Sequence, residues 1–446
     1  MNFRQPLLII LICLGLNSQA QEIREYIDLQ THPCMHLMFN KFGPGLTYFD
    51  ESNPPELSHK HFFDNILYAN YVRKNSGSRI LCVGSLNKEN ASAKKGRKVV
   101  LAQIAYVNKV VADHPEDFAL ARTPQEVRDL IHNTDKTVFI HCIEGGRRLV
   151  ESAEDAQFWA DQGVAFITLI HLMDSKYGGS GIRPGFGTNL LNLGARFRRK
   201  KKRGLTEKGR NAIKWLADVG IMTDITHMSD SCRKQTLDFM MENDIPPLVT
   251  HDMFKPIQNH PRGIAEEDII KIYQAGGMMS IPNSGVSLEP YNPREDYKKT
   301  LDSMEDYCPE SIDSYIFTYN ALNGFVKEHA SEALNGQYAD YMLLTEDQKV
   351  DLAIGFQSDN NGWLNHHRPR YGEEGCFRIE RDTVYNPVDI QGLAHAGLIQ
   401  DNWDLMESEG VDLDPIRRSS EKFLRMWEYF LDNKGRFEDH KESRGQ

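Results

Sequence analysis

The chain has 446 residues, with 63 acidic against 52 basic side chains and a formal net charge of −11. An acidic balance of this kind argues against nucleic-acid binding. Seven cysteines with no CxxC pair argue against a disulfide-built scaffold.

The chain opens with Met1-Asn-Phe-Arg4, an apolar run from Leu7 to Leu16, and the polar stretch Asn17–Ala20. One basic residue, a short apolar core and small residues at Ser18 and Ala20 read as a signal peptide over 1–20. The run is too short for a membrane span, which needs about 20 apolar residues. The mature chain, 21–446, is therefore expected to be exported, to the periplasm or the extracellular space, with no membrane span. Its length suits one large domain with insertions.

Eight short apolar segments then read as strands: Tyr26–Gln30, Lys98–Tyr106, Thr137–Ile143, Ala165–His171, Ile221–His227, Leu248–His251, Gly277–Pro282 and Leu352–Gln357. Several are nearly continuous runs of Val, Ile, Leu and Phe, as in parallel strands buried on both faces. Helical patterns lie between them at Thr123–Asn133, Ala153–Gln162, Thr206–Val219, Ser229–Asn243 and Ala265–Ala275. This alternation predicts an α/β chain forming a (β/α)8 TIM-type barrel. No GxGxxG or P-loop follows a strand, which removes the usual support for an open doubly wound sheet. Two stretches fall outside the repeat, 40–97 and 300–349, and read as insertions of the kind that form lids or dimer contacts. The stretch after the last strand, Asn361–Tyr385, is rich in Gly, His and Arg and is placed to border the site. The basic run Arg196–Arg203 reads as a solvated face.

In such a barrel the chemistry gathers at the C-terminal ends of the strands. The residues there are His32, Glu144, His171, His227, His251, Asn283 and Asp359. Any one histidine in such a place is ordinarily a satisfied core or surface residue. The set carries weight because barrel closure brings the ends to one mouth. Imidazoles mixed with carboxylates suit zinc or a similar divalent metal. Glu144 has two oxygens with which to bridge two ions. Asp359 is placed to take and return the proton of a metal-activated hydroxide. His141 lies within its strand and is assigned to the barrel wall. His36, His366 and His367 fall in loops and are left out of the set.

At these residues the chain resembles the membrane (renal) dipeptidase family. The segments that carry the resemblance are Cys142-Ile-Glu-Gly-Gly146, Phe166–His171, Gly204–Arg210, Gly220–Asp230, His251 followed by Arg262-Gly-Ile264, Ile354–Asp359 and Gly392–Ile399. The resemblance covers most of the mature chain and implies a hydrolase with two zinc ions that cleaves dipeptides, including some with a C-terminal D-residue. It implies Glu144 between the ions, His227 and His251 on the second ion, and His171 on the scissile carbonyl. Arg262 would hold the substrate carboxylate, with Asn283 also on the substrate side, and Asp359 would act as general base and acid. A small peptide is the expected partner, and a homodimer is compatible with the insertions.

One departure stands out. The family's first strand carries Asp-Gly-His-x-Asp, whose His and second Asp bind the first ion. Here the frame reads Asp28-Leu-Gln30-Thr-His32. His32 is a good ligand; Gln30 is a weak neutral oxygen donor. Two other readings remain open at this stage. One is hydrolysis of another amide or ester, such as an N-acyl amino acid. The other is a non-catalytic relative with an impaired first site.

Overall fold

The computed structural model describes residues 22–34, 77–89, 91–181, 204–336, 340–360, 365–394 and 396–436. The predicted signal peptide, the basic run and His36 lie outside these residues.

The strands are β1 (Tyr26–Thr31), β2 (Ser78–Leu86), β3 (Phe118–Leu120), β4 (Thr137–Glu144), β5 (Val164–Thr168), β6 (Met222–Asp224), β7 (Leu248–Val249), β8 (Met278–Ser280) and β9 (Ile354–Gly355). They form one sheet in the order β1-β2-β4-β5-β6-β7-β8-β9, with β3 on the side of β4. Every strand pair is parallel. The sheet closes on itself: Leu29 N–H donates to Phe356 O at 2.9 Å, and Asp359 N–H to Gln30 O at 2.9 Å. The result is the expected TIM-type barrel.

Helices α1 (Ala93–Asp113), α2 (Pro124–Asn133), α3 (Ala153–Asp161), α4 (Glu207–Asp218), α5 (Asp230–Glu242) and α6 (Glu266–Gln274) lie between successive strands. Side-chain caps fix several starts. The Thr206 hydroxyl accepts Gly209 N–H at 3.1 Å, and the Thr123 hydroxyl accepts Glu126 N–H at 3.2 Å. The insertion before the last strand is helical, as expected, with its longest helix α7 at Ile312–Glu328. A disulfide, Cys308–Cys376, ties that insertion to the segment after β9. No helix among the described residues is long and apolar enough to cross a membrane.

One strand was misplaced. Lys98–Tyr106 lies inside α1, and the second barrel strand is Ser78–Leu86, within the stretch read as an insertion. The reason is periodicity. The buried residues of α1 are Gly96, Val100, Gln103, Ile104, Val107 and Val110, a helical spacing hidden inside a nearly continuous apolar run.

His141 takes its expected place in the barrel wall. It is buried, and its Nε2 lies 2.8 Å from Asn108 Oδ1. Burial, helped by the Arg122 charge, lowers its pKa to about 4 from the usual 6.5. Between those values the unfolded chain takes a proton that the folded chain refuses. Stability therefore falls as pH drops from about 6.5 to about 4, by on the order of 3 kcal/mol from this residue. Urea midpoints measured across that range should fall less steeply in His141→Gln. Parallel curves for the two proteins would remove His141 as the cause.

Candidate metal centre

The strand ends deliver the chemistry. His32 follows β1, Glu144 ends β4, and His171, His227, His251 and Asp359 stand just past β5, β6, β7 and β9. Two of them need an uncommon backbone: His227 has φ of +69° and Asp359 of +48°. A side chain in the left-handed region costs roughly 1–2 kcal/mol, and such residues concentrate at functional sites.

Glu144 stands at the centre and is buried. Its Oε1 lies 3.1 Å from His227 Nε2, 3.3 Å from His251 Nε2 and 3.7 Å from His171 Nε2. Its Oε2 lies 3.3 Å from His32 Nε2, which is also 3.2 Å from Asp359 Oδ1 and 3.1 Å from Gln30 Nε2. The two Nε2 atoms of His227 and His251 are 2.9 Å apart. Two imidazole lone pairs this close repel unless a proton or a cation stands between them.

Asp224 organises this side of the mouth. Its carboxylate accepts Thr168 Oγ1 at 2.6 Å, Thr226 Oγ1 at 2.6 Å and Thr250 Oγ1 at 2.8 Å. It also accepts the backbone N–H groups of Thr226 and Thr250. Thr250 Oγ1 spends its one hydrogen on Asp224, so it accepts from His251 Nδ1, 2.8 Å away. That places the His251 proton on Nδ1 and leaves Nε2 with a lone pair facing Glu144 and His227.

On the far side, Glu89 Oε1 lies 3.1 Å from His171 Nδ1 and accepts Leu172 N–H at 3.0 Å. His32 Nδ1 lies 2.9 Å from the Gly84 carbonyl, which can only accept. Gly84 is required there, because a Cβ would stand 2.8 Å from His32 Cε1. Arg262 Nε donates to Asp252 Oδ1 at 2.8 Å and its Nη2 to the His251 carbonyl at 2.6 Å. This use of one edge leaves Nη1 and the second Nη2 hydrogen as an end-on fork for an anion.

The charges are crowded. Burial alone would raise the Glu144 carboxyl, but the His171 charge and bonds from His227, His251 and His32 hold it well below the usual carboxylate range. Burial, reinforced by Arg262, pushes His227 well below the ordinary imidazole value. Burial opposes charge on His32 too, yet Asp359 and Glu144 push its pKa up to about 10. His171 is likewise raised against burial, by Glu144 and Glu89. The acidic groups thus call for cationic partners in a space with little water.

Of the residues expected at the site, Gln30, His32, Glu144, His171, His227, His251, Arg262 and Asp359 are brought together. Asn283 is buried just past β8, and neither end of its carboxamide has a partner. No hydrogen bond among the described residues links it to the cluster. His366 bonds the Ser358 carbonyl and His367 bonds Asn402. Glu89, Asp224, Thr250 and Asp252 were not foreseen. Glu89 follows β2, the strand that was misplaced, so its position at a strand end was hidden.

A sequence profile for membrane dipeptidases, peptidase family M19, matches residues 59–316. The chain belongs to the membrane dipeptidase family. An uncharacterized dipeptidase of Schizosaccharomyces pombe is 23% identical over 182 residues, 41% of this chain and 40% of that protein. The chain thus matches less than half the length of this relative. Among solved structures, the M19 metallo peptidase dipeptidase AC superposes with a TM-score of 0.59 at 15% identity, over 91% of this chain and 98% of that one. A Rhodobacter sphaeroides metallo peptidase liganded with a phosphinate mimic of L-Ala-D-Ala gives 0.57 at 15% identity, over 91% and 99%. At that identity the likeness is one of fold.

The second ion position of the family fits the residues present. Glu144, His171 and His227 each offer a ligand atom within 4.8 Å of the others. His251 Nε2, 2.9 Å from His227 Nε2 and 3.3 Å from Glu144 Oε1, completes a tighter trio. Bonds of ~2.0–2.1 Å in a tetrahedral site place donors roughly 3.3 Å apart. The hydroxyl relay to Asp224 then has a measurable task. Thr250→Val should weaken zinc binding ~10–100-fold, read by competition with a colorimetric chelator, and Thr250→Ser should recover most of it. Unchanged affinity in Thr250→Val would show that His251 orients itself.

Proposed function

We propose that the chain is an exported zinc-dependent dipeptidase. The observation that carries this is Glu144, with four imidazole nitrogens at 3.1, 3.3, 3.3 and 3.7 Å, in a mouth that also holds the Arg262 fork. Imidazole and carboxylate donors suit zinc. Glu144, His227 and His251 would hold the zinc ion, which would supply Lewis acidity and a water made nucleophilic near neutral pH.

The chain's own residues do the rest. Arg262 offers Nη1 and Nη2 hydrogens to the substrate's terminal carboxylate, which sets the peptide in one register. His171, its Nδ1 against Glu89, directs Nε2 toward the carbonyl oxygen that gains charge. Asp359 takes a proton from the attacking water at Oδ1 and returns it to the leaving amine. Cleavage of dipeptides with a C-terminal D-residue belongs to this reading, supported by the mimic bound in the R. sphaeroides protein. Export is supported by the apolar run Leu7–Leu16 and by the Cys308–Cys376 disulfide, a bond that persists in oxidising compartments.

The test is hydrolysis of matched L-X-D-Y and L-X-L-Y dipeptides by the purified chain, before and after chelation. Chelation should abolish cleavage and zinc should restore it. Arg262→Ala, which also removes a support of His251, should lower kcat for both kinds of substrate but raise KM roughly ten- to a hundred-fold more for free-carboxylate dipeptides than for C-terminally amidated ones. An equal KM effect on both would rule out the clamp. Cleavage that survives full metal removal would overturn the reading.

A further inference from the structure

The two ion positions of the family are not equally open in this chain. On one side of Glu144, Oε1 and the Nε2 atoms of His227 and His251 face each other at 2.9–3.3 Å. These are three strong donors, and the His251 tautomer is set to present a lone pair. On the other side stands Gln30, in place of the histidine that the resemblance would put there. Gln30 Nε2 lies 3.1 Å from His32 Nε2, and Gln30 Oε1 lies 3.7 Å from Cys142 Sγ.

His32 Nδ1 carries its proton, because the Gly84 carbonyl beside it only accepts. Nε2 is therefore the one ring atom that could bind an ion, and Gln30 meets it at 3.1 Å beside Asp359 Oδ1 at 3.2 Å and Glu144 Oε2 at 3.3 Å. A carboxamide matches that nitrogen in either state: its N–H serves a neutral ring, and its C=O serves a protonated one. In neither case is the lone pair free. An amide nitrogen does not ligate, since its own lone pair is delocalised into the carbonyl, and an amide oxygen is a weak neutral donor. Gln30 and His32 are fully buried, and a Cβ on Gly84 would stand 2.9 Å from Gln30 Nε2. The carboxamide is seated in the space that a glycine at 84 leaves.

We propose that this chain works with one resident divalent ion, on Glu144, His227 and His251, and that Gln30, seated on His32, closes the position a further ion would take. This rests on the metal-hydrolase reading above.

The test is a metal count by mass spectrometry on the full chain, loaded with excess zinc and passed through gel filtration. The expected result is one zinc per chain in the natural protein and in His32→Ala, none in His251→Ala, and two in the double variant Gln30→His/His32→Asp. Two ions in the natural protein would overturn the proposal, as would loss of the ion in His32→Ala. A folded double variant that stays at one ion would remove Gln30 as the block. Dipeptide assays on the same samples separate this outcome from the functional reading. One ion without cleavage of any dipeptide leaves the proposal standing and sinks the dipeptidase. Two ions with cleavage does the reverse. No ion in the natural protein sinks both.

Discussion

Asp224 is buried at the end of β6 and takes hydrogen bonds from three threonine hydroxyls and two backbone N–H groups. Burying a carboxylate costs several kcal/mol unless its lone pairs are filled. Here they are filled by Thr168, Thr226 and Thr250, on three neighbouring strand ends. Those strand ends lead directly to His171, His227 and His251. One charge therefore ties together the backbones that present three imidazoles, and through Thr250 it also selects the tautomer of one of them. The same number of threonines with an apolar residue at 224 would leave hydroxyls and N–H groups unsatisfied, at about 1–3 kcal/mol each, and the three strand ends without a common anchor.

A second carboxylate does similar work at the seam. Asp28 Oδ1 accepts the N–H groups of Ser358 and Gln30, at 2.9 and 3.1 Å, and Oδ2 accepts the Ser358 hydroxyl. Burial pushes its pKa up to about 7. These bonds join β1 to the end of β9, where the barrel closes. They hold Ser358 directly beside Asp359, whose own N–H is bound to the Gln30 carbonyl. The left-handed turn at Asp359 is thus fixed from both sides, and its carboxylate reaches His32.

Much of this was legible in the sequence because apolar strands end abruptly in polar residues. The runs before Glu144, His171, His227, His251 and Asp359 are mainly apolar, so the strand ends could be read directly. β2 was not legible in the same way. Ser78–Leu86 contains Arg79, Gly84 and Ser85, and a more apolar run lies nearby in α1. The helix won the reading, and Glu89 was lost with the strand. Asp224 and Asp252 were hidden for another reason. A buried acid and a metal-binding acid look alike in sequence; what distinguishes them is the set of donors that folding delivers. Gln30 was visible as a departure, but its bond to His32 and its contact with Cys142 join three residues that only the closed barrel places together.

The clamp and the candidate ion site share one more support, and it bears on which bond is attacked. Asp252 Oδ1 accepts Arg262 Nε at 2.8 Å and His227 N–H at 3.4 Å, while Arg262 Nη2 holds the His251 carbonyl. The guanidinium is bonded to the His251 backbone directly and to the His227 backbone through Asp252. Behind it, buried Arg233 holds the Gly263 carbonyl at 2.7 Å and the Arg262 carbonyl at 3.4 Å. The offset between the fork and the histidine nitrogens is therefore rigid, since moving one moves the other. Under the proposed function, a substrate must bring its carboxylate to the fork and its scissile carbonyl to Glu144 at one fixed spacing. A dipeptide has a single residue between these groups. Attack on any bond further from the C-terminus would carry the carboxylate past the fork and leave the guanidinium unpaired in a buried site, so this spacing selects the last peptide bond of a substrate.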